Sequence, residues 1–336
     1  MTESLFDHTV CNPPYQDKSN SAIFHYFQYY ADSVANTTSL IYPAEKWMRQ
    51  SGKGRNLDAF YQYNMNINKV SRMVIYKDST LVFGSDVLIE GGVNIVFKIA
   101  QSIPMSITID SDCRYYNNAD YIMSLDHRTN NIVNKTLDRS MMTLAEYRDQ
   151  SQLFNIPSDF IDSLDTKDYI LCSQHDEPPG KDWIRLFTND KKGKQGRGTW
   201  FWIRRSLITR NTEYVDKYSV SVSKRSTLGQ SGRCQQACIY KPGEIHGDIR
   251  MHVKSFDTYG EACRFFLWLG HPVIRFLTDS SARRVNNYGM NVNMDDNVLQ
   301  HEDIEAYIAE RYHLSDDELH HIQYVVSTLG NYQQDT

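Results

Sequence analysis

Phe6-Asp7-His8-Thr9-Val10-Cys11-Asn12-Pro13-Pro14-Tyr15 opens the chain with a β-prone run that stops at a double proline. Neither proline has an N–H to give a sheet ladder or a helix interior, so the strand ends at Cys11. Each proline also biases the residue before it toward extended backbone. The result is a stiff corner at a strand's C-terminal end, where open α/β sheets place their ligands. Asn12 brings a side-chain carbonyl, Pro13 a backbone carbonyl, and Tyr15 an aromatic face. Two acceptors beside a ring match a planar base that carries an exocyclic amino group. An ordinary proline turn uses the same four residues, and the surrounding chain has to decide between the two.

The 336 residues, 40% apolar and 12% aromatic, call for two or three globular units with a substantial core. No apolar run reaches the length of a membrane span, and the first residues lack the pattern of a secretory leader. Cys11, Cys113, Cys172, Cys234, Cys238 and Cys263 are scattered, and Cys234 and Cys238 have no further ligands nearby to complete a metal site. Reduced thiols, a cytoplasmic location and no structural metal are the expectation. The net charge of −5 is unevenly spread. Residues 291–336 hold ten acidic side chains against one basic, Arg311, which leaves the remainder mildly basic and compatible with a nucleic-acid partner.

From the corner onward the periodicity predicts a helix over 22–35, with Ile23, Phe27, Tyr30 and Val34 at helical spacing. Strands follow over 37–42, 70–76 and 92–99, with a helix from Leu57. That order predicts half of a doubly wound α/β sheet over residues 1–100. An α+β domain is expected over 101–285, including a helix over 138–154, and a short acidic helical segment over 286–336. Two cationic, glycine-containing loops stand out in the middle region. One carries Lys191, Lys192, Lys194 and Arg197 and runs into Trp200-Phe201-Trp202; the other carries Lys224, Arg225 and Arg233. Phosphate contact and a solvated surface loop both explain such charge.

Asn12-Pro13-Pro14-Tyr15 resembles the signature of amino-methylating DNA methyltransferases, in particular the adenine-N6 branch of restriction–modification systems. The likeness extends along the chain. A strand ending in proline (Ile41-Tyr42-Pro43) is followed by Trp47, then Gly52-Lys53-Gly54, then Leu57-Asp58-Ala59-Phe60. Val82-Phe83-Gly84 precedes Ile89-Glu90-Gly91-Gly92-Val93. Later, Ser223-Lys224 ends a strand before a glycine loop, and Arg275-Phe276-Leu277 closes a helix that opens at Phe256 with Glu261-Ala262.

The resemblance implies that Asn12 and Pro13 accept hydrogen bonds from a flipped adenine, with Pro14 stiffening the corner. Tyr15 and Phe83 would stack on the two faces of the base. Phe83 as plain core is the competing reading, and Trp47 is expected to be core. Lys53 and Arg55, with the cations of the two later loops, are the residues expected against double-stranded DNA. The implied cofactor is S-adenosylmethionine, but no glycine-rich strand-to-helix turn of the kind that cradles it is found. Gly91–Gly92, Gly229–Gly232 and Gly243 all lack the flanking strand and helix. A half-sheet beginning at Phe6 leaves an unpaired strand edge, which invites pairing. A second polypeptide carrying the cofactor-binding half is therefore the expected partner. The alternatives are a DNA-binding specificity subunit without catalysis and a partner-binding regulator that uses the open edge.

Overall fold

The computed structural model describes residues 4–19, 21–44, 47, 59–60, 63–64, 70–89, 91–99, 104–117, 124–174, 177–189, 198–223, 237–281, 288–294 and 296–328. The chain divides into two units, Met1–Thr136 and Leu137–Thr336.

The first unit is a six-stranded sheet in the order β1-β2-β4-β3-β5-β6. Its elements are β1 (Phe6–Cys11), α1 (Phe24–Val34), β2 (Ala35–Pro43), β3 (Val70–Tyr76), α2 (Thr80–Phe83), β4 (Val93–Lys98), β5 (Met105–Ile109), β6 (Asp112–Tyr116) and α3 (His127–Thr136). β1 runs parallel to β2, and β4 runs antiparallel to both β2 and β3. β3 is parallel to β5. Strands β1, β2, β3 and β5 therefore point one way, and their C-terminal ends open on a single edge of the sheet.

Partners in register share a face of a pleated sheet. Cys11, Leu40, Val96, Met73 and Ile107 form one row across five strands. The core lies on that face: Leu40, Tyr42, Met73, Ile75, Val96, Met105, Ile107, Ile109 and Tyr116 meet Phe24 and Ala31 of α1 together with Trp47 and Phe60. Each such large side chain, fully withdrawn from water, contributes about 1.5–3 kcal/mol. Trp47 is core, as the sequence indicates.

Beneath α1 lies a buried polar network. Tyr42 donates to Gln28, whose amide donates to Asp32 (2.7 Å) and Thr38 (3.1 Å). Lys98 pairs with Asp32, and Tyr63 donates to the same carboxylate at 2.8 Å. α3 packs on this face too. The His127 Nε2 lies 3.1 Å from the Asp112 carbonyl, which must accept, so Nδ1 is left to accept from the Tyr116 hydroxyl at 2.6 Å.

The opposite face differs. Val10, Ser39, Phe97, Arg72, Ser106 and Tyr115 form a row across all six strands, and beside it runs Ile41, Ile95, Val74 and Thr108. Val10 is 73% exposed and Tyr115 77%, with Phe6 of the same face at 58%. Every strand residue of the first core cluster points the other way.

The second unit holds α4 (Leu144–Tyr147), β7 (Tyr169–Leu171), β8 (Trp183–Asn189), β9 (Gly198–Arg204), β10 (Tyr218–Ser223), β11 (Ala237–Tyr240), β12 (Glu244–His246) and β13 (Arg250–Phe256). They are followed by α5 (Tyr259–Gly270), α6 (Pro272–Ser281), α7 (Ile304–Tyr312) and α8 (Asp316–Thr328). A three-stranded sheet, β11-β10-β13, and a four-stranded sheet, β12-β8-β9-β7, make its β portion. Thr258 and Glu261 form the capping box of α5, and Ser315 with Glu318 does the same for α8.

Two expected boundaries are corrected. The division falls at 136/137 rather than 100/101, because β5 joins β3 in parallel and carries β6 with it. Residues 286–336 are not a unit of their own: His271 bonds Glu305 at 3.0 Å, and the Phe276 and His321 rings lie 5.9 Å apart. The helix expected over 138–154 is also absent beyond α4. Instead Leu144 donates to the Val292 carbonyl (2.7 Å) and Met294 to that of Met142 (2.8 Å), so tertiary pairing replaces helical bonds. No described helix is long and apolar enough to cross a membrane.

Candidate functional site

Asn12 stands exposed immediately after β1, Pro13 is buried, Pro14 is exposed, and Tyr15 is half-buried. The loop that follows is built tightly. Asp17 accepts from the Ser19 amide (2.9 Å) and the Ser21 amide (2.8 Å), its own amide donates to the Ser21 carbonyl, and Ile23 donates to the Tyr15 carbonyl at 3.3 Å. An aspartate folding the backbone over itself in this way fixes a turn, and it delivers the chain into α1 within a few residues of the corner.

The Tyr15 ring is half-buried and packs against the core cluster, as Cys11 and Ala22 do. Its hydroxyl donates to Asn12 Oδ1 at 3.2 Å. Burial pushes the phenol up to about 12, so it is protonated and a donor at neutral pH. Asn12 therefore presents an exposed carbonyl oxygen that already accepts one hydrogen bond from a side chain rather than from backbone.

Phe83 ends α2, half-buried, in the connection that leaves the tip of β3. The tips of β1 and β3 open on the same edge but are three strand spacings apart, about 14 Å. A ring sandwich with Tyr15 thus depends on the β3–β4 connection reaching back across β2 and β4. Gly92 anchors the end of that connection. Its φ is +74°, its carbonyl accepts from Ala44 at 3.0 Å, and an added Cβ would stand 2.3 Å from the Tyr76 carbonyl. One glycine therefore ties together the exits of β2 and β3 and the start of β4.

The expected DNA contacts Lys53, Arg55, Lys191, Lys192, Lys194, Arg197, Lys224, Arg225 and Arg233 lie outside the described residues. Their flanks are described. Asn189 pairs with Gly198, and Val222 pairs with Ala237, so each of the two later cationic segments joins neighbouring antiparallel strands.

Sequence reasoning missed a ladder of cations and indoles on the face of β8 and β9 opposite Ile184, Leu186, Phe201 and Ile203, where Trp200 also meets Tyr240. Arg185 lies over the rings of Trp200 (4.5 Å) and Trp202 (5.7 Å), and Arg204 lies over Trp183 (4.7 Å). The alternation Trp183-x-Arg185-x-Phe187 against Trp200-x-Trp202-x-Arg204 carried that signal. Arg185 is also paired with Glu244 at 2.9 Å.

Among the described residues the left-handed glycines are Gly84, Gly91, Gly92, Gly243 and Gly289, and none of these five sits between a strand's end and a helix's first turn. Among the described residues no group of three or more His, Cys, Asp or Glu side chains is arranged to hold a metal.

No protein-family model matches the sequence, and no curated protein matches it. Solved structures similar to it include the type IIL restriction-modification enzyme MmeI in complex with DNA, at 10% identity and a TM-score of 0.44, covering 98% of this chain and 55% of that one. The type IIG restriction endonuclease BpuSI is similar at 10% identity and a TM-score of 0.36, over 95% of this chain and 50% of that one. A nuclease-deletion mutant of the type ISP restriction-modification enzyme LlaGI, in complex with a DNA substrate mimic, follows at 8% and 0.33, over 82% and 30%. The chain spans about half the length, or less, of these proteins.

Proposed function

We propose that this chain is the catalytic-corner and target-recognition portion of a DNA adenine-N6 methyltransferase. The observation that carries the reading is the corner itself. Asn12 projects its carbonyl oxygen, exposed, from the C-terminal tip of β1, beside a buried proline and a tyrosine ring whose hydroxyl is held within hydrogen-bonding reach.

An extruded adenine is suited to this corner in three respects. Its amino group donates one hydrogen to Asn12 Oδ1, displacing the Tyr15 hydroxyl, and the other to the Pro13 carbonyl. Two acceptors drawing on one amino nitrogen favour its tetrahedral over its planar form, so they stabilise the transition state more than the ground state. Tyr15, with Phe83 carried over by the β3–β4 connection, offsets the unstacking of the base.

S-adenosylmethionine is the proposed methyl donor, held by a cofactor-binding half in trans. The second unit, with cationic segments between β8 and β9 and between β10 and β11, is proposed to engage double-stranded DNA through phosphates.

The test is transfer of a labelled methyl group from S-adenosylmethionine to duplex DNA by the chain with its partner. Asn12→Ala is expected to lower the rate by about 10²–10³-fold while DNA affinity, read by fluorescence anisotropy, stays within a few-fold. Undiminished transfer by the variant removes the assignment. Tight DNA binding without transfer by the wild type, partner present, selects the specificity-subunit reading instead.

A further inference from the structure

The connection that leaves the tip of β3 holds an apolar side chain out in water and fixes its backbone there. Leu88 is 84% exposed. An exposed leucine alone means little; what sets this one apart is the chain around it. The buried Ser79 hydroxyl donates to the Val87 carbonyl (3.0 Å) and accepts from the Ile89 amide (2.8 Å). One side chain thus clamps the backbone immediately before and after Leu88. Asp78 accepts from the Thr80 amide (2.9 Å) and hydroxyl (2.7 Å), Val87 donates to the Gly84 carbonyl (3.3 Å), and Gly92 donates to that of Ile89 (3.0 Å). Exposed loop tips ordinarily carry small or polar residues. Here a large apolar one stands on a backbone that is tied down on both sides.

Where the connection stands decides what the leucine meets. β1 and β3 open on the same edge of the sheet, with their tips about 14 Å apart. That separation is close to the width of a major groove, about 12 Å. A connection at β3 therefore stands over the duplex when an extruded base is held at β1. Extrusion leaves a gap in the stack, and the cost of unstacking is what opposes it. Leucine is among the side chains that proteins wedge between base steps. A clamped backbone is ordered before DNA arrives, so little entropy is lost on insertion, whereas a polar tip would be stripped of water. Phe83 lies five residues earlier, a reach of up to about 17 Å of chain. One connection can then present Phe83 to the base and Leu88 to the gap.

We propose that Leu88 enters the base stack at the place the target adenine has left, and that Ser79 holds its backbone for that purpose. This rests on the methyltransferase reading and deepens it by naming a residue that acts on extrusion of the base. Leu88 is a positioning residue: it meets the base pairs beside the gap, not the nitrogen that is methylated.

The experiment first places the photocrosslinking residue p-benzoylphenylalanine at Leu88 of the full chain in cells of its source, with the exposed Leu267 as control position, and sequences the crosslinked DNA. Crosslinks from position 88 are expected to gather on one short sequence that contains adenine. Fluorescence anisotropy on a duplex of that sequence then reads the variants. Leu88→Ala is expected to weaken binding about ten- to a hundredfold, and Leu88→Met to stay within about threefold of wild type. A pyrene nucleotide is next placed opposite each adenine in turn. Opposite the target it fills the vacated space from the other strand, and it is expected to restore Leu88→Ala to near the wild-type affinity. Crosslinks to protein, or to DNA no more than from Leu267, overturn the proposal. So does an unchanged affinity for Leu88→Ala, or a loss that pyrene repairs at no position. Pyrene rescue while the wild type transfers no methyl group defeats the catalytic reading and leaves the wedge standing; methyl transfer with Leu88→Ala unaltered does the reverse.

Discussion

The Tyr15 hydroxyl donates to the Asn12 side-chain carbonyl across 3.2 Å, so the acceptor at the tip of β1 is held in place by its own neighbour. This bond is a stand-in for the amino group that the proposal seats there. Tyr15→Phe keeps the ring and removes the competing donor. Steady-state kinetics should show kcat/KM for DNA within about tenfold of wild type. Tyr15→Ala loses the stacking surface, worth about 1–3 kcal/mol per base, and kcat/KM should fall by about 10–100-fold. Equal kinetics for both variants would place the ring outside the site.

Gly92 predicts a structural failure rather than a chemical one. Its left-handed backbone costs a non-glycine residue about 1–3 kcal/mol, and the Cβ contact of 2.3 Å with the Tyr76 carbonyl adds to that. Denaturant unfolding of Gly92→Ala should show a loss of at least about 2 kcal/mol. A midpoint matching wild type would mean that the β3–β4 connection is not fixed by this residue.

Lys98 of β4 and Asp32 of α1 meet between the helix and the sheet, at 3% and 8% side-chain exposure. Removing one partner strands the other charge, which costs about 3–5 kcal/mol. Lys98→Met should be destabilising by that amount, and Lys98→Met with Asp32→Leu by less than the sum of the single changes. A double-mutant cycle on the unfolding free energy reads this directly, and strict additivity would contradict the pairing.

His252 gives a pH dependence. Burial holds its imidazole below the usual range, although Asp149, 3.3 Å away, pulls the other way. An unfolded histidine takes up its proton near pH 6.5. A depressed folded value therefore means that this contribution to stability is complete above about pH 6.5 and is lost as the pH falls further. The thermal midpoint should drop between pH 7 and pH 5, and His252→Asn should flatten that drop. An unchanged slope in the variant would assign the acid sensitivity elsewhere.

Much of the first unit was legible because its signals are local. Pro13 ends β1 where expected, and the boundaries of β3 are those its β-branched run predicts. The Thr258–Glu261 and Ser315–Glu318 boxes at the starts of α5 and α8 are likewise local, each built from residues three apart. What could not be read depends on distant partners. α3, written His-Arg-Thr-Asn-Asn-Ile-Val-Asn-Lys-Thr, has little apolar periodicity and is fixed by the bond between His127 and Tyr116. The membership of β5 in the first sheet rests on parallel pairing with β3. Of the site, the corner was legible from four residues, whereas the inward packing of Tyr15 and its bond to Asn12 required the core around them.

The tip of β1 is proposed to present acceptors to the amino group of an extruded adenine. Mass spectrometry of nucleosides reads this out, on DNA from a methylation-free host that produces this chain together with the cofactor-binding half proposed for it. N6-methyladenine is the predicted new nucleoside. N4-methylcytosine alone, or no modified base while the complex forms and binds DNA, would contradict it.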